Sequence, residues 1–162
     1  VLAQSKVDPD EMVFHMNNDL NNTKTAGMFV TSIVGEYNLI TDEIRWVNAG
    51  HQPAILRNGQ GKYDQFESSA PPLGVIKQKD KSVYNVHKTK LNGSRFYAFT
   101  DGLSESLNDH GEEIGIDGSI GIIEQNYNKD TVKQLDSITQ SVIGTSQNQK
   151  LSDDLTLISI GK

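Results

Sequence analysis

The sequence predicts an α+β domain in which most strands are antiparallel and helices pack on the sheet. Two observations carry this. Short β-branched and aromatic runs are separated by Asn-Gly, Asn-rich and Gly/Pro breaks, and three stretches instead space their apolar residues for a helix. No internal repeat, low-complexity tract or Pro- or Ser-rich linker argues for a second domain in the 162 residues.

The first helical stretch begins where Asp8, Pro9 and Asp10 precede EMVFHMNNDL, an acidic start with Pro in the first turn. Its expected apolar face is Met12, Val13, Met16 and Leu20, and the Asn-rich segment 21–25 should end it. From Met28 the pattern changes to strands: MFVTSIVGEY, EIRWVNAG and PAILR, broken at 38–43 and 50–53, read as an antiparallel meander. Asn58-Gly59 then predicts a tight hairpin into KYDQF. SVYNVHKTKL and SRFYAFT read as two further antiparallel strands around Asn92-Gly93, a dipeptide that accepts positive φ. Helical spacing returns over 119–127 and 130–143, the second with Val132, Leu135, Ile138 and Val142 on one face, and the alternating LTLISI closes the fold as a strand.

Composition narrows the function. With 15 Lys+Arg against 21 Asp+Glu the net charge is −6, and the pI near 5.1 disfavours nucleic acid, which needs clustered basic residues. No apolar run is long enough to cross a bilayer, and VLAQSKVDPDEM lacks the basic and apolar blocks of a secretion signal. The absence of cysteine excludes disulfide scaffolds, cysteine nucleophiles and thiolate zinc sites, and fits a reducing, cytoplasmic setting. The four histidines show no metal-binding spacing, and Gly59-Gln60-Gly61-Lys62 is too short to cradle a phosphate.

Carboxylates are more informative. FYAFT runs directly into Asp101-Gly102, and Asp153-Asp154 lead directly into LTLISI. If those strands are antiparallel neighbours, the end of one lies beside the start of the other, about 5 Å away. Asp101 and Asp153 then face one pocket, where an oxygen-only donor set suits Mg²⁺, Mn²⁺ or Ca²⁺. Asp-Gly is equally an ordinary turn dipeptide, and Ser-Asp-Asp an ordinary polar lead-in to a strand.

In order along the chain, MFVTSIVGEYNLITDEIRWVNAGHQPAIL, APPLGV, FYAFTDGLSES and SDDLTLISI closely resemble the metal-dependent PPM (PP2C-like) serine/threonine phosphatases. Among these the chain is most similar to the bacterial SpoIIE/RsbU branch. The resemblance implies an antiparallel β-sandwich flanked by helices, with a binuclear Mn²⁺ or Mg²⁺ centre. It implies that Asp101, in the TDG motif, and Asp153, first in the D-[DN]-x-T motif, are catalytic metal ligands. Asp154 would stand behind them or bind more weakly, and Gly102 would keep the turn beside the metal free of a side chain. Asn48, Gly50 and His51 match an NAGH motif, either polar residues near the mouth of the site or a structural turn. Trp46 is expected in the core, and Leu73-Gly74 in a packed turn.

Two upstream aspartate motifs of that family, of G-D-x-x-D and D-x-x-G-H-G type, do not occur in these residues. The expectation is that 1–162 form the C-terminal major portion of such a domain, with its N-terminal strands missing from this chain. The implied activity is hydrolysis of phosphoserine or phosphothreonine on a phosphorylated protein regulator, of the anti-sigma-factor antagonist type, in partner-switching signalling. An upstream sensor or receiver domain is implied, and a homodimer is compatible with the resemblance. The rival reading is a noncatalytic PP2C-like domain that binds a signalling partner. A carbohydrate-binding sandwich is poorly supported by one Trp and five Tyr.

Overall fold

The computed structural model describes residues 7–23, 27–108, 110–128, 130–145 and 153–161. In chain order the elements are α1 (Pro9–Thr23), β1 (Ser32–Asn38), β2 (Glu43–Ala49), β3 (Ala54–Arg57), β4 (Tyr63–Phe66), β5 (His87–Lys90), β6 (Arg95–Phe99), α2 (Asp101–Ser104), α3 (Gly115–Gln125), α4 (Thr131–Thr145) and β7 (Leu157–Ile160). The class is α+β with antiparallel sheets and helices, as expected. The chain forms two compact units, 1–54 with 65–92 and 55–64 with 93–162.

In the first unit β1 and β2 form an antiparallel hairpin, and β5 pairs with the far side of β2. Trp46 on β2 is 1% exposed. It stacks on His87 with ring centroids 5.2 Å apart and meets the Phe66 ring edge-on, so it belongs to the core. α1 starts with Pro9 at the position where a missing N–H costs nothing, while the Asp8 carboxylate pairs with Arg45 at 2.9 Å.

The buried seam of α1 is Pro9, Val13 and Asn17, whereas Met16 is 39% exposed. The substitution of Asn17 for the expected methionine has a clear cause. Its side chain accepts from the Gly74 N–H at 2.9 Å and donates to the Ile76 carbonyl at 3.0 Å, so a buried amide is fully used. Gly74 has φ of 86°, and Leu73 beside it is 2% exposed, which makes this the packed turn anticipated. α1 runs on to Thr23 rather than ending at Asn21; residues 24 and 25 of the expected turn lie outside the described ones.

In the second unit the sheet order is β4-β3-β6-β7. β6 has a neighbour on each side and all five of its residues are buried, the pattern of a central strand. α4 buries Gln134, Ile138 and Val142 while Val132 is 68% exposed, so its face is rotated from the expected one. Gln134 accepts from Arg95 at 2.8 Å and from the Tyr97 hydroxyl at 3.1 Å. The helix opens on Asp130, whose carboxylate accepts the Val132 and Lys133 N–H groups.

Several expectations are corrected. The first strand begins at Ser32, and before it, among the described residues, Val30 forms a lone bridge to Leu73. PAILR does not extend a meander, because β2 is already paired on both sides by β1 and β5, and β3 pairs with β4 and β6 instead. SVYNVHKTKL is strand only over β5, since Asp80 caps a single 3-10 turn at Lys81–Val83. β5 and β6 are not partners either; Asn92 and Gly93 do take φ of 47° and 84°, but they carry the chain from one sheet to the other. The hairpin after β3 is present, with Gly61 rather than Gly59 at positive φ and the Asn58 side chain accepting from the Gln60 and Lys62 amides. α3 begins at Gly115, four residues before the expected start.

Candidate metal centre

The ladder between β6 and β7 is antiparallel and places Phe99 opposite Leu157. The adjoining pair continues past the strand ends, with the Thr100 N–H donating to the Thr156 carbonyl at 3.0 Å. The end of the first strand therefore lies beside the beginning of the second, as the flanking aspartates suggested.

At Thr100 the chain turns into α2, a single helical turn in which the Glu105 N–H donates to the Asp101 carbonyl at 2.7 Å. Residues four apart on such a turn share a face, so Glu105 joins Asp101. Carboxylate oxygens of Asp101, Glu105 and Asp153 all lie within 4.8 Å of one another, and all three residues are exposed. Glu105 was not singled out from sequence; its spacing from Asp101 is informative only once α2 is known to be helical.

Gly102 makes the close approach of the two segments feasible. A Cβ built on it would lie 2.6 Å from the Asp154 carbonyl oxygen and 3.3 Å from Leu155 Cα, closer than backbone atoms tolerate. The Thr100 hydroxyl donates to that same Asp154 carbonyl and accepts from the Thr156 N–H, both at 2.9 Å. Asp153 Oδ1 accepts the Asp154 N–H at 2.7 Å, and Asp154 itself is exposed.

This donor set fits a hard divalent ion. Mg²⁺ holds oxygens at about 2.0–2.1 Å, so carboxylate oxygens gathered within 4.8 Å of one another can converge on one ion by side-chain adjustment. Three mutually repelling carboxylates with no nitrogen or sulfur donor select such ions over zinc or copper.

Asn48 and His51 belong to the other unit and form a turn there. Asn48, fully buried, accepts from the His51 N–H and donates to the Gln52 carbonyl, each at 2.9 Å. Gly50 takes φ of 70°, and His51 Nδ1 stands 3.3 Å from the Thr31 hydroxyl.

A paired cation and carboxylate in the second unit involve other residues. Arg57 meets Glu124 through two hydrogen bonds, at 2.7 and 3.0 Å, and lies over the Tyr127 ring at 3.6 Å. The Arg57 guanidinium holds the Glu124 carboxyl below its ordinary range. Burial, reinforced by the Glu124 carboxylate, raises the Tyr63 hydroxyl.

Comparison with known proteins places the chain in a family. Residues 1–161 match the family model described as Stage II sporulation protein E (SpoIIE). The chain is 24% identical to the phosphoserine phosphatase RsbU of Bacillus subtilis over 161 residues, 97% of this chain and 46% of RsbU. It superposes on the SiaA-PP2C domain of Pseudomonas aeruginosa with a TM-score of 0.80 at 14% identity, covering 97% of this chain and 62% of that one. With the Mn-presoaked phosphatase domain of SpoIIE from Bacillus subtilis the TM-score is 0.66 at 19% identity, over 98% and 67% of the two chains. At these identities the structural likenesses show the fold. The chain spans between a fifth and about half of the length of the curated relatives it matches. No helix among the described residues is long and apolar enough to cross a membrane.

Proposed function

The chain belongs to the SpoIIE family of PP2C-type phosphatases, and from that premise we propose that it is the C-terminal major portion of a metal-dependent protein phosphatase domain. The substrate proposed is a phosphoserine or phosphothreonine on a regulator of the anti-sigma-factor antagonist type, met in the cytoplasm under the control of an upstream sensor or receiver domain. The observation that carries this reading is the convergence of Asp101 and Asp153 where β6 and β7 meet, with Glu105 beside them.

Asp101 and Asp153 would hold Mn²⁺ or Mg²⁺, part of a binuclear centre in the complete domain. Bound there, such ions would supply an acidified water as nucleophile and neutralise charge on the phosphoryl oxygens. The residues of this chain do the positioning. Gly102 admits the β7 lead-in to the face of α2, and the β6 ladder fixes where α2 starts. The exposure of the three carboxylates leaves them open to a phosphorylated segment of another protein.

The test is Mn²⁺ binding and phosphopeptide hydrolysis by the native protein and by its Asp101→Asn and Asp153→Asn variants. Each variant is expected to fold, to lose Mn²⁺ affinity and to fall to background turnover. Turnover at the native rate in a folded variant would overturn the catalytic role of that aspartate, and absence of turnover in the native protein would leave the chain a noncatalytic binding domain.

A further inference from the structure

Thr100 occupies the position just before the α2 turn, where a threonine hydroxyl ordinarily caps the helix that follows it. Here the hydroxyl makes no such cap. It is directed across to the neighbouring segment, donating to the Asp154 carbonyl and accepting from the Thr156 N–H, both at 2.9 Å. The Thr100 N–H adds a third link to the Thr156 carbonyl at 3.0 Å. Thr100 stands between Phe99, the last residue of β6, and Asp101, and the groups it holds on the far side, Asp154 and Thr156, lie one and three residues beyond Asp153.

We infer that Thr100 is a positioning residue for the metal centre, its hydroxyl setting the separation of Asp101 and Asp153. The inference rests on the reading of those two aspartates as ligands. Asp154 and Thr156 are exposed, so water replaces the clasp when the hydroxyl is removed and the fold is retained. Water does not hold the two segments at a fixed distance, however. Groups that orient metal ligands typically contribute about ten- to a hundred-fold in metal affinity, and the same range is expected here.

The experiment measures Mn²⁺ affinity by calorimetry and the thermal melt by circular dichroism, on the native protein and on Thr100→Val, Thr100→Ser and Asp101→Asn. Thr100→Val keeps the branched shape and is expected to melt near the native temperature while binding Mn²⁺ more weakly by about ten-fold or more. Thr100→Ser restores the hydroxyl and the affinity, a rescue that a purely structural role for the side chain would not produce. Native affinity in Thr100→Val, with Asp101→Asn deprived of binding, overturns the inference and spares the ligand reading. Native affinity in Asp101→Asn overturns the ligand reading itself. Should Thr100→Val not fold, amide exchange of the unsubstituted protein decides: by reciprocity of coupled equilibria, Mn²⁺ should slow exchange of the Thr156 N–H, and unchanged exchange overturns the inference.

Discussion

Gly102 and Asp154 approach so closely that a methyl group on the glycine would lie 2.6 Å from the aspartate's carbonyl oxygen. The glycine has no unusual φ to explain it; contact alone excludes a side chain. Gly102→Ala should therefore force the β7 lead-in away from α2. The expected cost is about 1–3 kcal/mol, read from a denaturant melt, together with weaker Mn²⁺ binding. A variant with native stability and native Mn²⁺ affinity would show that the contact is not needed.

Asn17 ties α1 to the turn at Gly74 through two hydrogen bonds from a nearly inaccessible side chain. Asn17→Ala leaves the Gly74 N–H and the Ile76 carbonyl without those partners. Loss of a buried polar partner costs about 1–3 kcal/mol, and urea unfolding should show a deficit of that size. Proteolysis near Gly74 should also quicken.

Glu124 confers an acid-sensitive contribution. Its folded carboxyl titrates below the ordinary glutamate range because of Arg57, with Tyr63 adding a second donor. A depressed folded value means that the stabilisation is complete above the unfolded value and is lost as pH falls through the folded one. Glu124→Gln should thus be less stable than the native chain at neutral pH, with the gap narrowing on acidification. The side chain is 45% exposed, so solvent keeps the effect modest. A gap that widens at low pH would contradict this assignment.

The two Asn-Gly pairs should age differently. Deamidation requires the glycine nitrogen to attack the asparagine side-chain carbonyl carbon, expelling ammonia, after which water opens the cyclic imide to aspartate or isoaspartate. Asn58 Oδ1 is held by the Gln60 and Lys62 amides. Asn92 is exposed, and its side chain makes no hydrogen bond among the described residues. Peptide mapping after incubation at mildly alkaline pH should find isoaspartate at 92 before 58; the reverse order would contradict the protection assigned to Asn58.

The pairing of the two aspartate-flanked strands was legible because the signal is local at each end: an apolar run stops abruptly at an acidic residue in FYAFT-Asp101, and another starts abruptly after Asp153-Asp154. The four motifs in order then carried the family. Strand partnership was much less legible. Pairing joins residues far apart in sequence, so nothing within 43–57 shows that β2 will be flanked by β5 and that β3 will pair elsewhere. Asn17 and Gln134 escaped notice for a different reason: both are polar residues at buried helix positions, recognisable only once Gly74, Arg95 and Tyr97 are in place around them. Glu105 comes beside Asp101 through a one-turn helix too short to leave an apolar period.

β7 is the outermost strand of its sheet, attached on one side to β6 and half exposed at Ile158. Asp153 is hung from that margin, whereas Asp101 follows the central, wholly buried β6. In this chain the two aspartates are therefore held unequally, and amide exchange should be quicker along β7 than along β6.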